Sequence, residues 1–157
     1  MQDLHEIEAI KRLKYRYMRC LDLKRWDELT DCFTEDATAA YGDGKFSFDN
    51  RAAIMEFLRN ALSGSNMLYS HRVHQPEIDL TSPTTATGSW ALDDVVIELY
   101  SNTTIRGAAF YEDRYVKIGG LWKIQHTGYA RVFEEVVSRK DTPSLQLSAN
   151  RWATSSD

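Results

Sequence analysis

The sequence predicts an α+β fold, and three observations carry that reading. Helical periodicity is confined to residues 6–62, apart from one short hairpin signal. Long runs of strand-like alternation fill residues 67–136. Tight-turn residues separate those runs, so successive strands pair antiparallel and build a strongly curved sheet. Helices first and strands last place the helices on one face of that sheet.

The first helix is predicted over Glu6–Asp22. Ile7, Ile10, Leu13, Tyr17, Cys20 and Leu21 recur at steps of three and four, the period of one buried face. Lys11, Arg12, Lys14, Arg16 and Arg19 read as the solvated face. Two residues fit a plain core helix poorly. Tyr17 is a polar aromatic on the apolar stripe, and Asp22 sets a carboxylate against the negative end of the helix dipole. A short second helix follows at Trp26–Phe33. Thr34-Glu35-Asp36 turns the chain into a strand at Ala37–Tyr41, and Gly42-Asp43-Gly44 returns it along Lys45–Phe48. Asp49 or Asn50 caps a third helix, Arg51–Leu62.

Four strands are expected next: Met67–Leu80, with Pro76 implying an edge or a bulge, then Thr85–Tyr100, Ile105–Ile118 and Leu121–Val136. Gly119-Gly120 marks the last hairpin. The polar tail from Ser138, with Pro143, is expected to be loose or to reach a neighbouring subunit.

Composition narrows the function classes. A chain of 157 residues with 43% hydrophobic residues fits one domain with its own core. A formal charge of −4 gives no case for nucleic acid or an anionic membrane. No apolar run is long enough to span a bilayer, and the N-terminus has no signal-peptide pattern. Cys20 and Cys32 fall at apolar helical positions, which suits buried thiols and a reducing cytoplasm. No Cys/His cluster has metal-ligand spacing, so no metal is expected, and no Gly-rich phosphate loop is present.

Strand parity assigns faces. Trp90, Leu92, Asp94 and Val96 share one face of their strand; Tyr69, His71 and Val73 share one of theirs. His74 falls on the opposite face unless a bulge near Pro76 shifts the register. Tyr129, Arg131 and Phe133 lie together on the last strand. His71, Asp94 and Arg131 therefore stand among apolar or aromatic neighbours, and a concave sheet facing the first helix would gather them with Tyr17 and Asp22. A histidine beside a carboxylate is the usual general-base pair, and parity leaves open whether Asp22 or Asp94 is that carboxylate. Trp90, Tyr129, Tyr69 and His74 are candidates for the substrate-contacting wall.

The order helix, helix, hairpin, helix, four strands resembles the nuclear transport factor 2-like cone. Within it, IEAIKRLKYRYMRCLDLKRWDEL at 7–29, HQPEI at 74–78, ATGSWALDD at 86–94 and GAAFYEDRYVKIGGLWKIQHTGYARV at 107–132 resemble the SnoaL-like polyketide cyclases and dehydratases, and among these the bile-acid 7α-dehydratases. The resemblance carries the family's functional residues onto Tyr17, Asp22, His71, Asp94 and Arg131. It implies a domain over residues 1–140 with a tail over 141–157. It also implies a homotrimer, and cofactor-independent loss of water from a steroid-like or polycyclic hydroxy-enone by proton abstraction beside a conjugated carbonyl. The partner would be a small apolar carbonyl compound, free or carried as a coenzyme A thioester. A ketosteroid-isomerase-like proton shuttle and a non-catalytic binding module of the same fold remain alternatives.

Overall fold

The computed structural model describes residues 2–153. The helices are α1 (Gln2–Asp22), α2 (Trp26–Thr30) and α3 (Arg51–Leu62); the strands are β1 (Phe33–Tyr41), β2 (Phe46–Phe48), β3 (Met67–Ser82), β4 (Thr85–Glu98), β5 (Thr103–Ile118) and β6 (Leu121–Ser138). The strands form one sheet in the order β2-β1-β6-β5-β4-β3. All pairings are antiparallel except β1 with β6, so the sheet is mixed. Several expected boundaries move, most of all in the N-terminal half. α1 starts earlier, at Gln2, and Phe33 leaves α2 to open β1, so Thr34-Glu35-Asp36 is strand rather than turn. That stretch is irregularly paired, with a register shift against β6 between Phe33 and Thr38, so its alternation is weak in the sequence.

The end of α1 positions the site. Lys24 takes the left-handed conformation at φ 54, its N–H reaches the Leu21 carbonyl at 3.1 Å, and the Arg25 N–H reaches that of Cys20 at 2.8 Å. This is a Schellman ending with lysine where glycine is usual. The Lys24 ammonium offsets the strained backbone by donating to the carbonyls of Gly64 and Met67, at 2.7 and 3.0 Å. It thereby ties the end of α1 to the start of β3. Elsewhere local chemistry is as read: Asn50 caps α3 by accepting from the Ala53 N–H at 2.9 Å. Gly119 and Gly120, both at positive φ, make the two-residue turn joining β5 to β6. β3 is one of the two edge strands, bulged at Gln75 beside Pro76.

The core lies between α1 and the concave sheet, filled by Ile10, Leu29, Ile54, Trp90, Tyr115 and Ile124. At its centre is a correction to the solvated face expected of α1. Lys14 is fully buried, its ammonium 2.7 Å from Asp113 on β5. Position 14 lies one turn from Ile10 and from Tyr17, on the apolar stripe itself. The network is closed: Tyr115 and Thr127 hydroxyls donate to Asp113 at 2.6 and 2.7 Å, and the Trp90 indole donates to Tyr115 at 2.9 Å. Burial pulls the Lys14 ammonium below its ordinary pKa, while Asp113 favours the charged form.

β6 carries a second correction. Its register against β5 shifts between Ala109–Arg131 and Ala108–Phe133, so Val132 is the extra residue of a bulge. The bulge turns Phe133 to the outer face, 54% exposed, and turns Glu134 inward. Beyond β6, Arg139–Asp141 form a short 3-10 turn, and residues 142–153 continue without regular structure. No helix is long and apolar enough to cross a membrane among the described residues.

Candidate active site

A cavity of 190 Å³ opens between α1, α3 and the concave face of β4–β6. Its walls are aromatic and aliphatic, with Tyr17, Tyr41, Tyr111 and Tyr129 from one side and Phe57 and Leu58 from α3. Its polar side chains include His71, Asp94, Arg131 and Glu134. Of the nine site candidates, the cavity lining includes Tyr17, His71, Asp94, Arg131 and Tyr129, and Asp22 is bonded directly to His71.

Asp22 and His71 meet because the Schellman turn aims the last carboxylate of α1 across to β3. Asp22 accepts from the His71 backbone N–H at 2.9 Å and stands 2.7 Å from Nδ1. These two bonds offset the unfavourable dipole that made Asp22 look misplaced. An ionised carboxylate only accepts, so Nδ1 carries the hydrogen and Nε2 is left as the basic atom of the neutral ring. The two side chains are 12% and 20% exposed, dry enough for the pair to hold its geometry and open enough to meet a ligand.

Asp94 is the cross-strand neighbour of His71 by backbone register, yet its carboxylate turns to Arg131. Arg131 grips it with Nη1 at 2.5 Å and Nη2 at 2.9 Å, and its Nε lies 3.1 Å from Glu134. The carboxylate left open by parity is therefore Asp22. The bonds to Asp94 push the Arg131 guanidinium further above its ordinary pKa. With both edges of its fork occupied, Arg131 offers little to a substrate carboxylate. Gly107 makes the grip possible: a Cβ there would lie 2.5 Å from Arg131 Nη1 and 2.9 Å from the Phe133 carbonyl.

The cavity floor is a phenol cluster. Tyr17 and Tyr41 hydroxyls are 3.2 Å apart, and Tyr17 packs edge-on against Phe33. Burial raises the pKa of both phenols well above the usual range, so both are neutral donors at physiological pH. Beneath them the Lys14 ammonium sits 3.5 Å from the Tyr111 ring centroid and 4.9 Å from that of Tyr17, a cation against two ring faces. Arg131 covers the Tyr129 ring in the same way at 5.1 Å.

Three expected wall residues are not in this lining. Trp90 is wholly buried and spends its indole N–H on Tyr115. Tyr69 bridges the ends of α1 and α3, its hydroxyl 3.1 Å from the Leu21 carbonyl and 3.3 Å from that of Leu62. His74 lies on the outer face, its Nε2 3.5 Å from Asp93, because the bulge at Gln75 comes after it and leaves its parity unchanged. Sequence reading also missed residues. Tyr41 and Tyr111 had a signal, since each stands at the apolar parity of its strand. Glu134 had none, because the bulge that turns it inward depends on pairing with β5.

The profile of the SnoaL-like domain family matches residues 2–128. The chain belongs to this family. Its structure is similar to that of a protein provisionally named a scytalone dehydratase from Novosphingobium aromaticivorans, at 25% identity and TM-score 0.77, covering 86% of this chain and 91% of that one. It is similar in fold to the hexachlorocyclohexane dehydrochlorinase LinA-type3 of Novosphingobium barchaimii, at 16% identity and TM-score 0.77, covering 87% and 92%. A protein of unknown function from Mycobacterium tuberculosis matches at 22% identity and TM-score 0.71, covering 93% and 80%. The fold is thus the nuclear transport factor 2-like cone, with dehydratase-type proteins among its neighbours. Among the described residues no group of three or more His, Cys, Asp and Glu could hold a metal ion.

Proposed function

We propose that this SnoaL-like protein is a lyase that removes water from a small neutral hydroxy-carbonyl compound by general-base catalysis, without a cofactor. The observation that carries this reading is the Asp22–His71 pair, bonded at 2.7 Å, on the rim of an aromatic cavity whose floor holds two neutral phenols. A passive apolar cavity gains nothing from these groups, since burying charge is costly unless the charge is used or paired.

His71 Nε2 takes a proton from the carbon next to the substrate carbonyl. The electrons of that C–H bond move into the carbonyl, and the developing enolate oxygen accepts a hydrogen bond from Tyr17, which Tyr41 orients. Donors fixed in advance at the site of developing charge are the usual large contribution in such reactions. The enolate then collapses, the β C–O bond breaks, and the hydroxide leaves with the proton held by the His71 imidazolium. One water is lost and the histidine returns to its neutral form. Asp22 holds the tautomer and stabilises the imidazolium between the two steps. Asp94, Arg131 and Glu134 form the charged wall beside this path, and their surplus of negative charge disfavours an anionic substrate. The cavity of 190 Å³ falls below the roughly 300–1,000 Å³ of drug-sized sites, which favours one or two rings over a steroid nucleus.

The test is turnover of a panel of cyclic β-hydroxy ketones and enones, followed by mass spectrometry. Loss of one water, abolished by His71→Ala, is the expected result. Double-bond migration without that loss would mark an isomerase using the same base and donor. Binding with no turnover of any panel member would leave a binding module.

A further inference from the structure

We infer that the protein has a second ligand site, a basic cleft on the outer side of α1 that takes a small organic phosphate. The cleft encloses 520 Å³ and shares no lining residue with the aromatic cavity. One wall is the outer face of α1, where Arg12, Arg16 and Arg19 stand on successive turns. The other is the turn end of β5 and β6, with Lys117 and Lys123. These five cations face two carboxylates, Glu6 and Asp31, a surplus of three positive charges on a chain whose formal charge is −4.

Both carboxylates are already engaged. Glu6 accepts from the Lys117 ammonium at 2.7 Å and from the Trp122 indole at 2.6 Å. The Lys117 bond, then the Trp122 bond, hold its pKa below the ordinary carboxylate value, so it stays ionised as a structural anchor. Asp31 lies 3.8 Å from Arg16, and its carbonyl accepts from Lys123. Lys117, Lys123 and Trp122 are therefore held in place before any ligand arrives. Arg12 and Arg19 have no acidic partner within salt-bridge distance among the described residues. Like charges three and four residues apart on a helix repel, and the Arg16–Asp31 contact at 3.8 Å does not neutralise Arg12 and Arg19. A bound anion would.

The chemistry of the lining selects the anion. Guanidinium forks match the oxygen spacing of a phosphate, and cations on two facing walls of a concave site focus their field on a compact head group. Buried Leu13 and Trp122, with Ala9 and exposed Leu121, supply apolar surface for the body that carries the phosphate. The volume lies within the range of small-molecule sites.

The experiment is an NMR titration of the ¹⁵N-labelled full-length protein at low ionic strength with phenyl phosphate, and in parallel with inorganic phosphate. Saturable shifts at the Trp122 indole N–H and at α1 amides from Arg12 to Arg19 are expected, with phenyl phosphate binding more tightly and both affinities falling as salt is added. Arg12→Gln with Arg16→Gln removes two charge-assisted contacts and should weaken binding roughly tenfold or more. Arg59→Gln, whose partner Asp27 lies elsewhere, should leave it unchanged. Lys123→Gln makes the same comparison from the opposite wall should the double variant fold poorly. No saturable shift, shifts confined to the aromatic cavity, or equal binding by the cleft variants would overturn the inference.

Discussion

Lys14→Met is the sharpest test of the buried network beneath the cavity. Methionine fills nearly the same volume as the lysine stem, so packing against Tyr17 and Tyr111 is largely kept and the charge is what is removed. What remains is Asp113, 3% exposed, with two hydroxyl donors and no cation. Removing one member of a buried, well-bonded ion pair costs about 3–5 kcal/mol. For a chain of this length each kcal/mol shifts the melting point by about 2–4 °C, so the midpoint should fall by about 6–20 °C. Urea unfolding followed by far-UV circular dichroism measures the loss directly, as a lower midpoint at unchanged slope. Asp113→Asn alone should destabilise for the converse reason, stranding the Lys14 ammonium. The double variant Lys14→Met/Asp113→Asn should recover about 1 kcal/mol or more relative to the sum of the singles, because neither stranded charge is left. A single Lys14→Met variant within about 1 kcal/mol of the wild type, or strict additivity in the double, would refute the buried-pair account.

Four further outcomes are expected. His71→Ala should keep the fold and lose about 10²–10⁴-fold in turnover, the usual contribution of a general base; His71→Gln should not restore it, Asp22→Asn should cut the rate less deeply, and outward-facing His74→Ala should be mild, all read from kcat on a confirmed substrate. Gly107→Ala should dislodge the Arg131 guanidinium from Asp94 and lower both kcat and stability, whereas Ala108→Ser on the outer face should change neither, as judged by kinetics and thermal melts. Glu98 is held at a pKa of about 2 by bonds from Ser101, Asn66 and Tyr100; with the folded value below the unfolded one, its contribution is full above the ordinary 4.5 and is lost as pH falls towards 2, so an acid titration should be shallower for Glu98→Gln than for the wild type. The apolar outer face, with Phe110, Phe133 and Val132 exposed, should be covered by other copies of the chain, and light scattering at micromolar concentration should report a trimer rather than a monomer.

Much of this molecule was legible in its residues because the signals are local. The 3.6-residue stripe of α1, the Asn50 cap, the Gly119-Gly120 turn and the strand parities that turn His71 and Asp94 inward depend on neighbours a few positions away, and the sequence by itself determined them. It also marked Tyr17 and Asp22 as misfits, since a phenol on an apolar stripe and a carboxylate at a helix C-terminus are unfavourable without distant partners. The identity of those partners was decided only in three dimensions. Asp22 and Asp94 are equivalent candidates for His71 until the Schellman turn at Lys24 points one of them across to β3 and Gly107 lets Arg131 take the other. Lys14 reads as a surface cation until Asp113, 99 positions further along, is folded against it. Glu134 changes places with Phe133 through a single bulged residue whose register is set by β5. In each case the deciding energy belongs to a contact between residues far apart in the chain, which no local pattern encodes.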